Sequence, residues 1–301
     1  MNNFIIEIIR ILRSLWIQIE QIAPYWAIGI VSGSLINVYL SEKIVNKISA
    51  FKDKKFSFTA LCLFAVLGIA SPLCMYGTVP LIASLGKKNV PQYLLAAFMI
   101  CSILLNPNLL IMSFALGTNV AVLRLCLSLF TGLLAGIVVH VFFKKKRLFK
   151  LDAFETNQDK KNRVLWRDLL KALRITTPYF FIGILLTSLY DLYFPKHLMD
   201  TVFAGNQAMG SLFAMSLSIP LHACGGGAIP LLLAWMREGM SIGSALTFML
   251  AGSAMKFTNL GAVKIILGTK NFILYVLYCL GCSFIFGILI NGVFWIVAIH
   301  S

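Results

Sequence analysis

Residues 71–81 read SPLCMYGTVPL, and residues 219–231 read IPLHACGGGAIPL. Each stretch carries a proline, then a glycine, then a second proline, inside a long run without charged residues. Proline removes a backbone donor and glycine loosens a helix, so neither stretch suits one continuous apolar helix. The two stretches therefore predict two broken segments of the same kind.

Three further blocks repeat in the same order along the chain. The pairs are APYWAIGI (23–30) with TPYFFIGI (177–184), Asn108-Leu109 with Asn259-Leu260, and Leu116-Gly117-Thr118 with Leu267-Gly268-Thr269. The offset is 154 residues for the first block, 148 to 150 for the broken segments and 151 for the last two. Four ordered blocks at a nearly constant offset indicate an internal duplication. We assign residues 21–142 and 175–301 to two homologous halves.

Composition places both halves in a membrane. Of the 301 residues, 59% are hydrophobic and 12% are charged, whereas a soluble domain carries about a quarter charged residues. Four uncharged runs exceed the roughly 20 apolar residues that cross a bilayer, and they are 56–86, 89–123, 201–236 and 271–301. The net charge of +15 arises from Lys and Arg between these runs, which favours a lipid bilayer and not nucleic acid as partner. The sequence predicts a multi-pass protein of the cell membrane.

Two segments lie outside the halves. Residues 1–20 place apolar side chains on one helical face and Glu7, Arg10 and Arg13 on the other. This pattern predicts an interfacial amphipathic helix or, equally, a helix packed on the rest of the protein. Residues 143–174 carry 11 basic and four acidic residues and are expected to form a basic cytoplasmic linker.

Charge indicates that the two halves have opposite orientations. Residues 42–55, 87–88 and 143–174, with three lysines between 256 and 270, hold 21 basic and six acidic residues and are expected in the cytoplasm. The amino terminus, 191–200 and 237–238 hold four basic and five acidic residues and are expected outside. Both ends of 57–86 then face inward, so that segment turns back as a hairpin. We predict an all-α integral membrane fold of two inverted halves, each with three spanning helices and one broken helical hairpin, about ten apolar segments in all.

The broken segments are the candidate site, because paired discontinuous helices mark the binding sites of secondary transporters. Thiolate and imidazole ligands suit soft or borderline species such as Cu(I), Zn²⁺ or trivalent arsenic. Cys74, His222 and Cys224 are therefore candidate metal ligands, although a lone buried Cys or His is commonly only packed. Corresponding positions at the two breaks hold Cys74 and His222, then Tyr76 and Cys224, then Gly77 and Gly225.

Both broken segments resemble the permease family that includes the organoarsenical efflux permease ArsP and the YraQ-type proteins. The halves of that family carry a Pro-Leu-Cys-Ser-Cys-Gly-like motif followed by a second proline, which corresponds here to 72–77 with Pro80 and 220–225 with Pro230. The Thr258-Asn259 pair matches a further family block, so the resemblance covers nearly the whole chain. It implies a permease fold and export of a thiol-reactive metalloid or a soft metal. Tyr76 and His222 replace one cysteine in each half, and a mixed Cys/His site would favour a divalent metal.

Further polar residues are candidates for the transport path. Asn108, Thr258 and Asn259 are expected to cap or bridge interrupted helices close to the substrate. Lys256 is a candidate carrier of the coupling ion, because an ionisable residue inside a membrane is usually functional. The alternative is that Lys256 snorkels to the cytoplasmic interface. No cofactor is expected, and the substrate is a small inorganic or organometalloid species; a homo-oligomer is left open.

Motifs of other functional classes do not occur in the chain. No GxxxxGK[ST] phosphate loop is present, so energy would come from an ion gradient or from a partner ATPase. HExxH, GxSxG and a cluster of intramembrane carboxylates are also absent from the sequence, and we do not expect an enzyme. Two alternatives stay open: a passive channel, and a membrane-embedded thiol enzyme that uses Cys279 and Cys282.

Overall fold

A computed structural model of the chain describes residues 56–71, 75–87, 90–143, 148–149, 207–221, 229–237 and 239–300, with single positions between 9 and 20 and at 170, 174 and 177. For some residues inside these ranges, Tyr76, Gly77, Asn108 and Thr258 among them, only the backbone is described. All regular structure in this part of the chain is helical.

Nine helices with the following bounds occur in the described ranges. The first five are α1 (Phe58–Ala70), α2 (Met75–Lys87), α3 (Gln92–Leu104), α4 (Pro107–Ser113) and α5 (Thr118–Phe142), with a 3-10 turn at Phe114–Leu116. The other four are α6 (Gln207–Leu221), α7 (Ile229–Arg237), α8 (Ile242–Met255) and α9 (Phe257–His300). Gly268 interrupts α9 with a non-helical φ of 70° and ψ of 168°.

The structure describes each broken segment in part. Gly77 lies in the first turn of α2, and Pro220 lies within the last turn of α6. α1 ends at Ala70, and Ser71 is extended with φ −71° and ψ 127°. Pro72 and the glycines at 225–227, the other predicted break residues, lie outside the described residues. Proline in a last helical turn removes a single hydrogen bond and so weakens the end of α6 without breaking it.

Buried residues place α3 and α8 at the centre of the bundle. All residues of α3 from Tyr93 to Leu104, and all residues of α8 from Gly243 to Met255, are buried. α3 packs against α1 and α5, α8 packs against α6 and α9, and the two central helices contact each other. An apolar helix that is buried all round is shielded by its neighbours from the surrounding solvent or lipid.

Glycines bring the backbones of neighbouring helices close together. A Cβ atom on Gly68 of α1 would lie 2.9 Å from the Cβ of Cys101 on α3. A Cβ on Gly132 of α5 would overlap the sulfur of the same cysteine, and one on Gly287 of α9 would overlap Oγ1 of Thr247 on α8. Small residues at such contacts are the usual means by which membrane helices pack tightly.

The described residues contain two helices that are long and apolar enough to cross a membrane. These candidate spans are Thr118–Phe142 in α5 and Asn259–Phe294 in α9. A third is formed if α3 and α4 are taken as one span with a bend of 48°. The fold is thus that of an all-helical membrane protein, while the inverted relation of the halves and the total of ten apolar segments stay predictions.

The amino-terminal segment is described only in part. Its described positions from Ile9 to Glu20 are helical. Ile9, Leu12 and Trp16 are exposed, as expected of an apolar face without a protein partner. Placement of this segment in the membrane interface stays a prediction, as do the bounds of both halves and of the linker.

Candidate functional site

The two central helices end at equivalent positions. α3 ends at Leu104 and α8 ends at Met255, which are 151 residues apart, the same offset as in the last two sequence repeats. The next residue is non-helical in both cases, with φ −148° and ψ 127° at Leu105 and φ −52° and ψ 130° at Lys256. A helix end leaves backbone N–H and C=O groups without intrahelical partners. Each break therefore brings polar backbone groups into an otherwise apolar interior.

A second pair of breaks follows the same offset. Gly117 precedes α5 with φ 111° and ψ 148°, and Gly268 interrupts α9 with φ 70° and ψ 168°. A positive φ is readily adopted by glycine and rarely by other residues. The Leu-Gly-Thr blocks of the two halves thus share a glycine with positive φ at the same position, as well as a similar sequence.

Asn106 closes the first break, and the sequence analysis did not select it. Its side chain accepts a hydrogen bond of 2.9 Å from the backbone N–H of Leu109, and Pro107 follows at the first position of α4. Asn108, the expected capping residue, lies inside α4. The Asn-Pro pair is the usual signal of a helix start and would have identified Asn106.

Lys256 occupies the second break. Its carbonyl accepts hydrogen bonds from the backbone N–H groups of Asn259 (2.9 Å) and Leu260 (3.1 Å). The residue is 7% exposed, so its side chain lies inside the protein and not along the outer surface. Nothing that the structure describes forms a hydrogen bond or ion pair with its amino group. Leu105, its counterpart in the first half, is fully buried.

Described residues of the first broken segment adjoin the first break. The hydroxyl of Ser71, at the end of α1, donates to the carbonyl of Gly68 at 2.7 Å and lies 3.4 Å from the hydroxyl of Ser102 on α3. The hydroxyl of Thr78 on α2 lies 2.9 Å from the hydroxyl oxygen of Ser102. Ser102 precedes the break at Leu105 by three residues. Residues on both sides of Cys74 in sequence, Ser71 and Thr78, therefore lie beside the interrupted helix.

The principal predicted ligands cannot be placed. Cys74, His222, Cys224 and Gly225 lie outside the described residues. Of the other candidates, Tyr76 and Gly77 lie in the first turn of α2, and Thr258 and Asn259 lie in the first turn of α9. No group of three His, Cys, Asp or Glu that could hold a metal ion occurs in the described ranges. The role of Cys74, His222 and Cys224 as metal ligands stays a prediction.

Arg124 is a buried cation that the sequence analysis passed over. It lies on α5 and is 1% exposed. Its Nη1 donates hydrogen bonds to Oγ of Ser113 on α4 (2.7 Å) and to the sulfur of Met249 on α8 (3.5 Å). The signal that would have found it is a single arginine within a long apolar helix, since such residues are rare and usually functional.

The candidate redox pair consists of free thiols. Cys279 is buried and Cys282 is partly buried on α9, and both are free. Cys279 belongs to the largest hydrophobic cluster and Cys282 packs against it. This environment matches a packing role for the CxxC pair.

The bundle of apolar helices with two or three candidate spans, together with the interrupted central helices, defines a helical integral membrane protein. The chain belongs to the ArsP_1 family, described as predicted permeases, whose profile matches residues 7–292. This assigns it to the permeases and favours a transporter over an enzyme.

Individual relatives are distant, and two of the three match over most of both chains. The UPF0718 protein YcgR of Bacillus subtilis is 25% identical over 260 residues, which cover 83% of this chain and 86% of YcgR. A Streptococcus mutans protein, provisionally named as a subunit of a two-component membrane permease complex, is 22% identical over 280 residues, or 87% and 91% of the two chains. A UPF0718 protein of Methanocaldococcus jannaschii is 21% identical over 173 residues, which cover 56% of this chain and 44% of that protein. No solved structure matches the chain significantly.

Proposed function

We propose that the chain is a secondary transporter that exports a thiol-reactive metalloid or a soft metal across the cell membrane. One observation carries this proposal: α3 and α8 are both buried and both interrupted, at positions 151 residues apart. Paired discontinuous helices supply helix ends and free backbone groups to substrate and coupling ions in transporters. A kink required only for packing would not need to recur at the equivalent position.

The substrate would bind between the two hairpins through Cys74, Cys224 and His222. Tyr76, Gly77, Gly225, Asn108, Thr258 and Asn259 would line the same site. The neighbours of Cys74 support this assignment, because Ser71 contacts Ser102 beside the first break and Met75 is buried. Thiolates bind soft ions and must lose their protons to do so, so binding should weaken in acid.

Lys256 would carry the coupling ion. Lys256 lies at the second break and is 7% exposed, and none of the 11 Asp and Glu residues falls on the nine helices. A membrane-buried lysine without a carboxylate partner has no structural ion pair to maintain, which favours a functional role.

Transport into everted membrane vesicles tests the proposal. We expect one of three probes, a trivalent organoarsenical, Cu(I) or Zn²⁺, to accumulate only when a pH gradient is imposed. Cys74→Ser and Cys224→Ser should each lower this uptake at least about tenfold, because loss of groups that set metal affinity typically has this effect. Cys126→Ser is the matched control, since Cys126 is exposed on α5.

Two outcomes would overturn the proposal. Gradient-independent, downhill flux would assign the chain to the passive channels, and chemical conversion of the probe would assign it to the thiol enzymes. Normal uptake by the Cys74→Ser, Cys224→Ser double variant would refute the ligand assignment.

The Streptococcus relative raises a competing arrangement, in which the permease works as one subunit of a two-component complex. Proteoliposomes that contain only the purified chain distinguish the two. Gradient-driven flux by this chain alone, as a monomer or homo-oligomer, supports the secondary transporter. Flux that requires a second polypeptide would contradict it.

A further inference from the structure

We propose that Arg124 and Ser128 form an internal binding site for a small oxyanion, a group with two adjacent, negatively charged oxygens, between α4, α5 and α8. This site goes beyond the proposed function, because it involves neither the hairpin cysteines nor Lys256. Its test measures binding, so its failure would leave the transport proposal intact.

The guanidinium of Arg124 is only partly satisfied. Nη1 is hydrogen-bonded to Ser113 on α4 and contacts Met249 on α8. Nε and Nη2 are buried and have no hydrogen-bond partner among the described residues. These two nitrogens share one edge of the guanidinium, and this edge binds carboxylate, phosphate or sulfate oxygens through two parallel hydrogen bonds. The contacts to α4 and α8 fix the arginine while its bidentate edge stays available.

Ser128 adds a third unsatisfied group on the same face of α5. It follows Arg124 by four residues, which places the two side chains one turn apart, about 6 Å along the helix axis. Its hydroxyl is buried and has no partner in the described part of the protein. Arg124 Nε, Arg124 Nη2 and Ser128 Oγ are the complete set of such buried atoms there. Their positions on one helix face are what the proposed shared ligand requires.

Other buried hydroxyls in these helices do not behave like Ser128. A serine or threonine in a helix commonly donates to the carbonyl four residues earlier. Ser113, Thr131 and Ser283 all do so, at 2.6, 2.6 and 2.7 Å. The hydroxyl of Ser128 makes no such bond and is available to donate to an anion.

Charge balance also calls for an anion at this position. Arg124 is 1% exposed, and no acidic residue lies on any of the nine helices. A buried cation is strongly disfavoured unless it is paired. An oxyanion that accepts bonds from the guanidinium edge and from the serine hydroxyl would both neutralise the charge and satisfy all three atoms.

The repeat indicates one such site per chain. At the repeat offset of 151, the second-half residues that correspond to Arg124 and Ser128 are Tyr275 and Cys279. The Tyr275 hydroxyl donates to the carbonyl of Ala254 at 2.9 Å. The second half therefore has a satisfied, uncharged pair where the first half has a cation with a free edge.

Ligand-induced stabilisation of the purified full-length chain in phosphatidylcholine nanodiscs tests the site. Sodium acetate and sodium sulfate are the probes, with sodium chloride at matched ionic strength as the reference. We expect acetate or sulfate to raise Tm saturably and chloride to raise it less, because one chloride shared by both N–H groups bends both hydrogen bonds, whereas two oxygens accept them in parallel. The half-saturating concentration should rise about tenfold or more in Arg124→Lys, which keeps the charge but loses the bidentate edge. Ser128→Ala should also raise it.

Lys264→Gln is the matched control, because Lys264 is an exposed lysine on α9. It should leave the half-saturating concentration unchanged. An equal effect of Lys264→Gln and Arg124→Lys, or equal stabilisation by chloride, would overturn the proposal. A rise in the Tm of the wild-type chain that does not saturate with acetate or sulfate concentration would also overturn it. If Arg124→Lys fails to fold, Ser128→Ala alone decides the outcome.

A phospholipid headgroup offers the same oxyanion chemistry as a soluble ion. Addition of phosphatidylglycerol to the nanodiscs separates the two sources. Arg124-dependent competition between this lipid and acetate would support the site and identify a lipid phosphate as its occupant. Acetate binding that is insensitive to the lipid would support a soluble anion.

Discussion

Gly287 and Gly281 lie six residues apart on α9 and differ in their surroundings. A Cβ on Gly287 would overlap Oγ1 of Thr247 and lie 3.0 Å from the carbonyl oxygen of Gly243, whereas one on Gly281 would meet nothing within 4 Å. Gly287→Ala should therefore destabilise the protein by about 1–3 kcal/mol through overpacking. Gly281→Ala should be neutral or stabilise it by up to about 1 kcal/mol, because alanine is the better helix former.

Thermal unfolding of the two variants in the same detergent measures the difference. Tm should fall for Gly287→Ala and stay level or rise for Gly281→Ala. Equal changes for both variants would show that α8 and α9 do not pack at backbone distance in solution.

Single residues at the site were only partly predictable. Lys256 was selected because charge inside an apolar run is conspicuous, and it does lie buried at a helix break. Arg124 carries the same signal, as a single charge within an apolar helix. Its significance depends on contacts with Ser113 and Met249, and Met249 is 125 residues away in sequence. No local pattern reports a contact of that kind.

Among the helices, the two central breaks show where local sequence decides structure and where it does not. Pro107 restricts the preceding residue to extended backbone, and Asn106 has φ −123° and ψ 168°. This break follows from the sequence once the Asn-Pro pair is noticed. At the second break Phe257 replaces the asparagine and no proline follows. The interruption at Lys256 therefore depends on packing around α8 and α9, and the sequence indicated it only through the repeat.

Lys256→Leu tests whether the second break has a functional role beyond its shape. Leucine is the counterpart residue in the first half, where Leu105 is fully buried at the equivalent break. We expect the variant to fold with an unchanged or higher Tm, because replacement of a buried charge by a buried apolar residue is often neutral or stabilising. Gradient-driven flux in proteoliposomes should fall about tenfold or more, because no other ionisable side chain occupies that break.

Lys264→Gln serves as the control, since it removes an exposed lysine eight residues further along α9. Flux should remain at the wild-type level in this variant. Full gradient-driven flux by Lys256→Leu would eliminate Lys256 as the coupling residue while leaving the hairpin site untouched.

At the level of the whole molecule, the inverted orientation makes a prediction about sidedness. Lys52, Lys87 and Asp152 should face the cytoplasm, and Asn3, Lys196 and Arg237 should face outward, because positive charge concentrates in cytoplasmic loops. Cysteines introduced as Lys87→Cys and Arg237→Cys into a cysteine-free chain report this directly. A membrane-impermeant maleimide should label Arg237→Cys on intact cells and Lys87→Cys only after permeabilisation.

Labelling of both positions from the same side would refute the inverted repeat. The duplication itself would survive that result, because it depends on the sequence blocks and on the matching ends of α3 and α8. The sequence does not predict which residues of the two halves contact each other, because repeated blocks show that the halves are similar and not how they pack.

The glycine contacts have a consequence for motion. Where α1 meets α3 and α3 meets α5, the backbones pack too closely to slide past one another, and α8 meets α9 in the same way. Each group should travel as a rigid body when the transporter changes its open side. Relative movement is then left to the seam between the groups, where Arg124 meets Met249. A thioether is a weak acceptor on a flexible stem, so the Arg124–Met249 contact itself adds little resistance to such movement, and the shared hydrophobic cluster and the hydrogen bond from Tyr278 to Thr131 hold the seam together.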